Sequence, residues 1–560
     1  MESSNNFKNS YLEENSRKTE IEHLHNINHS KMVNNFIYSK RTMNTLPISI
    51  KITTNRKSAS ESLNSNLFFK NIDEISILFN KIHQNNFFTL YKINKAEINS
   101  TKNLLFEYLK QIRKELSKEN ISLIEVKTIF ENNKTQNFID LIINQLLSSN
   151  DPYIELELLW ILNNLVYLIA KYNLSFDITK VSEYLLKYLN SLQRSQKNEG
   201  VKYTLEEKIL RIFGNIIYLN NNIIDILINN QLINFIIDSL ISPVSSFRTT
   251  CLWLLNKFLL ILKKLDGNNY INYFTSKKAI SNYKFIFNRI TTQKNFDEIG
   301  ELFWLLNELV KYDSSILVPI FFIDINNVNN NNYNNFNNND LSYINKDIAI
   351  KNFEFVLDNC LTVNLLQTCF RLISNLLVVC HNNINNEDLL KTFIETLFEK
   401  QTVLWFIKDV LNSPKNKYET PLVKDILLLI FNLSYLFQVK SSVLFRNGIV
   451  NLISNKDYQN DTEIIKLLYF IYYRMLLSNS YFFGPNEEKV IKTCLIIKDR
   501  FKNDSSILII FIDILFFYLK ASNIKIGNDV ENELNLMVNY EQNIPVDRLQ
   551  STLLKLSNFL

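Results

Sequence analysis

Three of the four tryptophans recur in one leucine-rich phrase, and their type and spacing suit ligand binding better than any other residues of the chain. The phrases are LLWILNN around Trp160, CLWLLNK around Trp253 and LFWLLNE around Trp304. In each, an asparagine follows three residues after the tryptophan, so both side chains project from roughly one helix face. An indole ring attracts cations, and an amide hydrogen-bonds to peptide groups. A single tryptophan in such a helix is more often a core residue, so only the recurrence favours binding.

Residue patterns of catalysis and metal binding are missing from the sequence. There is no glycine-rich phosphate loop, HExxH motif, nucleophile elbow or paired-carboxylate motif. His23, His25 and His29 form a loose cluster without the fixed spacing of metal ligands. We interpret this cluster as an accident of the tail's composition and not as a metal site. We therefore predict a protein that is not an enzyme and that needs no cofactor or metal.

The phrase continues in phase without tryptophan, which indicates a repeat protein. LRIFGN ends at Asn215, FRLISN at Asn375 and LLLIFN at Asn432. From Asn215 to Lys257 is 42 residues, a period typical of armadillo or HEAT repeats built from two or three helices. Patterns of alternating apolar residues are largely absent, so we expect few strands. The predicted fold class is all-α, an α-solenoid.

The composition indicates in which cellular compartment the protein resides and which classes of partner are unsupported. The net charge of +5 is small for 560 residues and gives no nucleic-acid signature. The longest apolar run, residues 507–519, is interrupted by Asp513 and is too short to span a bilayer. The five cysteines lie in apolar segments without CxxC spacing, which favours reduced core residues. We expect a soluble, intracellular protein without membrane insertion.

The predicted organisation is a tail followed by one continuous domain. Residues 1–66 are polar and lack a helical period, so we predict disorder there. Residues 71–560 carry the repeats, and no linker rich in proline or glycine divides them. The asparagine-rich stretch 326–340 is expected to be a loop insertion, with smaller insertions near residues 382 and 412–420. With only seven glycines, tight turns should use asparagine.

The ordered series of these positions resembles the armadillo repeats of importin-α, the nuclear import adaptor. In that family the third helix of successive repeats carries W-x-x-x-N, with R-x-x-x-N in one later repeat. The matching pairs here are Trp160/Asn164, Arg211/Asn215, Trp253/Lys257, Trp304/Glu308, Arg371/Asn375, Leu428/Asn432 and Tyr469/Tyr473. The segment SFRTTCLWLLN, with Arg248 and Thr249, resembles the family's fourth repeat. The resemblance covers about residues 71–560 and implies a right-handed superhelix of about ten repeats.

The resemblance also implies a peptide-binding groove. In the family, tryptophans form slots for lysine or arginine stems, and asparagines bond the backbone of an extended cargo. Five positions depart from that pattern. Tryptophans of the family are replaced by Arg211, Leu428 and Tyr469, an asparagine by Lys257 and an aspartate by Leu219. Tyr469 could still stack on a cargo side chain. The implied groove residues are Trp160, Asn164, Arg211, Asn215, Trp253, Asn256, Trp304, Arg371, Asn375, Asn432 and Tyr469.

Two functions follow from this resemblance. The first is a nuclear import adaptor that binds a cargo protein's nuclear localisation signal, with an importin-β-like carrier as a further partner, in cytoplasm and nucleus. The importin-β-binding segment that the family has in its tail is not recognisable in residues 1–66. The second is an armadillo scaffold that binds a different protein partner, either acidic or less charged, since Arg211 and Lys257 add positive charge to the groove. A negative groove between Trp160 and Trp304 would favour the adaptor.

Overall fold

The structure is a computed structural model, and its described part is helical throughout. No strand occurs in that part, so the predicted all-α class is confirmed. The described residues are 65–87, 95–118, 121–149, 151–174, 176–217, 219, 221–229, 231–265, 270–321, 346–359, 362–383, 397, 401–412, 420–436, 463–464, 467–468, 471, 503–521 and 545–557.

The described helices fall into two compact units, one within Pro47–Tyr312 and the other within Asp313–Leu560. The helices of the first unit are α1 Ser65–Phe87, α2 Lys95–Leu116, α3 Leu123–Phe130, α4 Asn133–Ser148, α5 Pro152–Tyr172, α6 Thr179–Arg194, α7 Glu199–Ile216, α8 Asn221–Asn229, α9 Leu232–Ser239, α10 Ser245–Lys264, α11 Ile271–Phe274, α12 Lys277–Phe287, α13 Ile290–Gln293 and α14 Phe296–Leu309.

Asparagine begins helices in this chain more often than it makes left-handed turns. The side chains of Asn132, Asn198 and Asn295 cap the first turns of α4, α7 and α14 by accepting hydrogen bonds from backbone N–H groups. Among described non-glycine residues, only Asn173, Gln231 and Lys294 have positive φ angles. The expectation that turns rely on asparagine therefore holds at Asn173, where α5 ends, but not at the other two.

The helices of the first unit pack in two layers. One layer, which we call row A, contains α2, α5, α7, α10 and α14, and each packs against the next. The second layer, row B, runs through α1, α4, α6, α8, α9 and α12 in the same manner. Each layer also packs on the other, and apolar side chains such as Leu162 and Phe213 are fully buried. The three tryptophan phrases all lie on row A.

The second unit repeats this pairing of long helices. Its α17 packs along α19, while α16 and α18 pack on each other and on that pair, and α20 packs along α21. The helices are α15 Leu317–Phe321, α16 Lys346–Asn359, α17 Val363–Asn383, α18 Gln401–Asn412, α19 Thr420–Leu436, α20 Ser505–Ala521 and α21 Val546–Ser557. A short 3₁₀ helix, Ser314–Ile316, precedes α15.

Several predicted boundaries fall on or beside described helices. The first described helix begins at Ser65, inside the predicted tail, and α17 extends to Asn383, into the insertion predicted near residue 382. Residues 1–64, the asparagine-rich stretch 326–340 and Tyr469 lie outside the described residues. Cys251 and Cys369 are buried free thiols, as predicted for them.

Helix α5 is the one described helix whose length and composition would let it cross a membrane. In Pro152–Tyr172, 61% of the most apolar window is buried in the structure. Burial of that extent is typical of a core helix, and α5 packs against both α2 and α7.

Candidate ligand-binding face

Trp160 lies on α5 between two cations that the chain itself supplies. The guanidinium of Arg113, from α2, lies 4.4 Å from the centre of the indole ring. The ammonium of Lys208, from α7, lies 4.1 Å from the same ring. Both distances suit cation–π attraction, which contributes roughly 0.5–1 kcal/mol at exposed sites. The face of Trp160 that the resemblance assigns to a cargo side chain is therefore already in contact with internal cations.

Two carboxylates neutralise the two arginines beside Trp160. Arg113 donates from Nε to Glu157 at 2.7 Å, and Arg211 donates to Glu207 from Nε at 3.1 Å and from an η nitrogen at 2.9 Å. Glu207 also accepts a hydrogen bond from the hydroxyl of Ser246 on α10. Arg211 is thus held in an ion pair one turn along its own helix.

Lys208 stands apart from these pairs. No hydrogen-bonded carboxylate faces its ammonium among the residues described, and the ammonium lies against the Trp160 ring. Burial lowers the pKa of Lys208, and the positive charges of Arg211 and Arg113 lower it further, against the opposing influence of Glu207 and Glu157. The ammonium is therefore placed where an additional negative charge would stabilise it.

Asparagines connect consecutive helices of row A near Trp160. Asn164 donates from Nδ2 to the hydroxyl of Ser117, just beyond α2, at 2.9 Å. Asn215 donates from Nδ2 to the side-chain oxygen of Asn163 at 3.1 Å. All three asparagines are partly exposed. Their amides are thus oriented by internal bonds and still border the solvent.

Trp253 is the second partly exposed tryptophan of row A, and its ring packs on a glycine. A Cβ atom added at Gly214 of α7 would lie 2.2 Å from two carbons of the Trp253 ring. The Lys257 ammonium lies 5.4 Å from the centre of that ring. Burial lowers the pKa of Lys257, with Glu301 acting in the opposite direction. Lys257, which places a positive charge where the family has an asparagine, therefore packs against the tryptophan of its own helix.

Asn256 and Trp304 are buried rather than open to a ligand. Asn256 is fully buried and donates to both the backbone oxygen and the carboxylate of Glu301, at 3.0 and 2.6 Å. Burial raises the pKa of Glu301 to about 8, although the hydrogen bond from Asn256 and the charge of Lys257 act to lower it. Trp304 is only 4% exposed. We expected both to line the groove, and in the structure both are core side chains.

The predicted positions in the second unit are partly buried as well. Arg371 forms a two-point ion pair with Asp425, at 3.0 and 2.7 Å. Asn375 is buried, and Asn432 donates to the hydroxyl of Ser374 at 2.7 Å. Leu428, where the family has a tryptophan, is also buried. Arg371 and Asn432 therefore bond α17 to α19, while Asn375 and Leu428 lie in the core.

The side chains that surround Trp160 and Trp253 form one surface, which we call the tryptophan face. Reasoning from sequence missed Arg113, Lys208, Glu157 and Glu207 as members of it. A signal existed for two of them, since Glu157 lies three residues before Trp160 and Glu207 lies four before Arg211, both one helical turn away. The members are Arg113, Glu157, Trp160, Asn164, Glu207, Lys208, Arg211, Asn215, Trp253 and Lys257.

The charge of the tryptophan face is positive. It holds four cationic side chains and two carboxylates, and each carboxylate is bonded to an arginine. Glu301 is buried, and burial raises its pKa to about 8, so it adds less negative charge here than an exposed carboxylate would. This excess of cationic side chains between Trp160 and Trp253 does not match the negative groove that would favour a basic cargo. Within the described residues, no group of three or more His, Cys, Asp or Glu side chains could hold a metal ion.

Comparisons with known proteins bear on the fold alone. No known family profile matches the sequence, and no curated protein matches it. Among solved structures, a crystal structure of an engineered protein matches with a TM-score of 0.50 and 12% identity, covering 88% of this chain and 98% of the other. Another crystal structure of an engineered protein covers 55% of this chain at a TM-score of 0.34 and 10% identity. The first likeness extends over most of the helices of the chain.

Proposed function

We propose that this chain is a non-enzymatic binding protein, an armadillo scaffold that holds an extended segment of a partner protein along row A. About ten repeats in a right-handed superhelix would present such a face, because the third helices of successive repeats lie side by side. One observation carries the proposal: Trp160, Asn164, Asn215 and Trp253 are partly exposed on three neighbouring helices of row A. An exposed series of indoles and amides suits recognition of side chains and backbone together.

The second candidate is a nuclear import adaptor that binds a nuclear localisation signal, with an importin-β-like carrier, in cytoplasm and nucleus. The contacts of Trp160 favour it in one respect. Arg113 and Lys208 lie against the ring as basic cargo side chains would, with Glu157 and Glu207 nearby. A basic peptide would have to displace these internal cations first, which lowers its net affinity.

The test of the binding proposal is a selection that assumes no charge for the ligand. A display library of random 16-residue peptides is selected against the full chain, and the affinity of each enriched peptide is measured by fluorescence anisotropy. We expect the double substitution Asn164→Ala with Asn215→Ala to weaken binding about tenfold, because two hydrogen-bonding amides are lost.

The matched control is Asn144→Ala, which removes an exposed asparagine of α4 in row B. It should leave the affinity unchanged. If no peptide is enriched, or if the row A and row B substitutions act alike, the proposed binding face is wrong. Enrichment of lysine-rich and arginine-rich sequences would select the import adaptor over the general scaffold.

A further inference from the structure

We infer that the tryptophan face binds an acidic segment, with Lys208 as the central contact for a carboxylate. This inference rests on the proposed function, since it names the chemistry of the segment that row A would hold. It concerns the part of the face between Trp160 and Trp253, where the described side chains form a continuous set of contacts.

The distribution of charge favours an acidic ligand over a basic one. The two carboxylates of the face, Glu157 and Glu207, are each engaged by an arginine at hydrogen-bonding distance. Lys208 lies on the same surface as an additional positive charge, against the Trp160 ring. A basic segment would add repulsion to this excess, whereas an acidic segment would reduce it.

The tryptophans act here as holders of internal cations. Trp160 contacts Arg113 and Lys208, and Trp253 contacts Lys257. A lysine or arginine from a partner could reach the Trp160 ring only by displacing one of these contacts. For Arg113, displacement also breaks the bond to Glu157. A carboxylate needs no such displacement, because it approaches the partly exposed charged heads directly.

Preorganisation strengthens this preference. The ammonium of Lys208, on α7, already lies over the Trp160 ring of α5, so less side-chain freedom is lost when a carboxylate binds. Lys208 also lies near two arginines whose positive charge disfavours its own, and this repulsion lowers its pKa along with burial. A carboxylate bound at this point would offset that repulsion and favour the charged form of Lys208.

The experiment compares three labelled 12-residue peptides of equal length against the full chain. One is rich in glutamate and aspartate, one is rich in lysine and arginine, and one contains only serine and glycine. Anisotropy titrations are run at about 50 mM and about 300 mM salt, since screening weakens exposed charge contacts. We expect the acidic peptide to bind at least about tenfold more tightly than the other two at low salt, and to weaken at high salt.

The variants locate the contact. Lys208→Gln should weaken the acidic peptide about fivefold to tenfold, and Lys208→Arg should restore most of that loss because the charge returns. The matched control is Lys278→Gln, an exposed lysine of row B that is paired with Asp238, and it should have no effect. Circular dichroism at each step verifies that helix content is retained.

Other outcomes would distinguish a failure of the acidic-segment inference from a failure of the proposed binding function. Tighter binding of the basic peptide, improved by Lys208→Gln, would overturn the acidic segment and leave row A as the binding face. An acidic peptide that binds equally to Lys208→Gln and Lys278→Gln would overturn the role of Lys208. Failure of the proposed function itself would appear separately, as the absence of any peptide from the unbiased selection that depends on Asn164 and Asn215.

Discussion

Trp160 and Trp304 occupy the same phrase of the sequence, yet they differ in what surrounds them. Trp160 is partly exposed on α5 and contacts two cations, while Trp304 on α14 is 4% exposed. The buried ring nitrogen of Trp304 has no hydrogen-bond partner within the described part of the chain. A recurring phrase therefore defines which face of a helix its tryptophan occupies, and the packing around each helix decides whether that face is accessible.

The neighbours of the two tryptophans show how the difference arises. On α5, Asn163, Asn164 and Tyr167 reach solvent beside Trp160. On α14, every side chain from Glu298 to Leu309 is buried. A helix enclosed on all sides has no face left for a ligand, whatever its pattern of residues. Trp253 resembles Trp160, since it is partly exposed and also contacts a lysine.

The largest expected effect tests this contrast directly. Trp304→Ala should lower the free energy of unfolding by about 3–5 kcal/mol, because it removes a large buried ring and leaves a cavity. Trp160→Ala should cost only about 1–2 kcal/mol, since part of the ring already contacts water. Urea denaturation of the full chain, followed by circular dichroism, measures both. Equal losses would mean that Trp160 is as buried as Trp304 and that the tryptophan face is closed.

The next prediction is the pH dependence of stability that Glu301, on the buried helix α14, should cause. Burial raises the pKa of the Glu301 carboxyl from 4.5 to about 8, so the folded chain retains a proton that the unfolded chain releases. This carboxyl therefore contributes less stability as the pH rises from about 4.5 to about 8, and its contribution is constant above that range. The loss is at most about 5 kcal/mol, since each pKa unit corresponds to about 1.4 kcal/mol.

Glu301→Gln should flatten this decline, because a neutral amide replaces the group that titrates and can still accept from Asn256. The measurement is the melting temperature at intervals from about pH 5 to about pH 9. Some slope should remain, since burial also raises the pKa of Glu206 to about 7. Glu183→Gln, at an exposed position of α6, is the control for removal of a carboxylate. If both substitutions flatten the decline equally, Glu301 is not the titrating group.

The smallest effect concerns the close packing of Trp253. Gly214→Ala would place a methyl group 2.2 Å from ring carbons of Trp253, so the ring must shift, at a cost of roughly 1–3 kcal/mol. Gly200→Ala on the same helix meets only the side-chain oxygen of Asn198 at 3.4 Å. That control should be neutral or stabilising by up to about 1 kcal/mol. Thermal unfolding of the two variants compares them, and equal stability would show that Trp253 does not pack on α7.

The sequence predicted the helical class and the segments that carry the tryptophans because both are local properties. Leucines at helical spacing indicate α5, α10 and α14 without knowledge of their neighbours. The period near 42 residues likewise anticipates repeated helices, since each unit repeats its own apolar pattern. Neither property depends on contacts between residues distant in sequence.

The composition of the tryptophan face depended on the tertiary structure. Arg113 and Lys208 come from the two helices that flank α5, and they lie 47 and 48 residues from Trp160 along the chain. No local pattern relates residues at that separation, so nothing in the sequence placed them on the indole ring. Asn256 shows the same limit, because its bond to Glu301 joins α10 to α14. Helical phase specifies where a side chain points, and only the packing of neighbouring helices decides whether it meets solvent, a cation or the core.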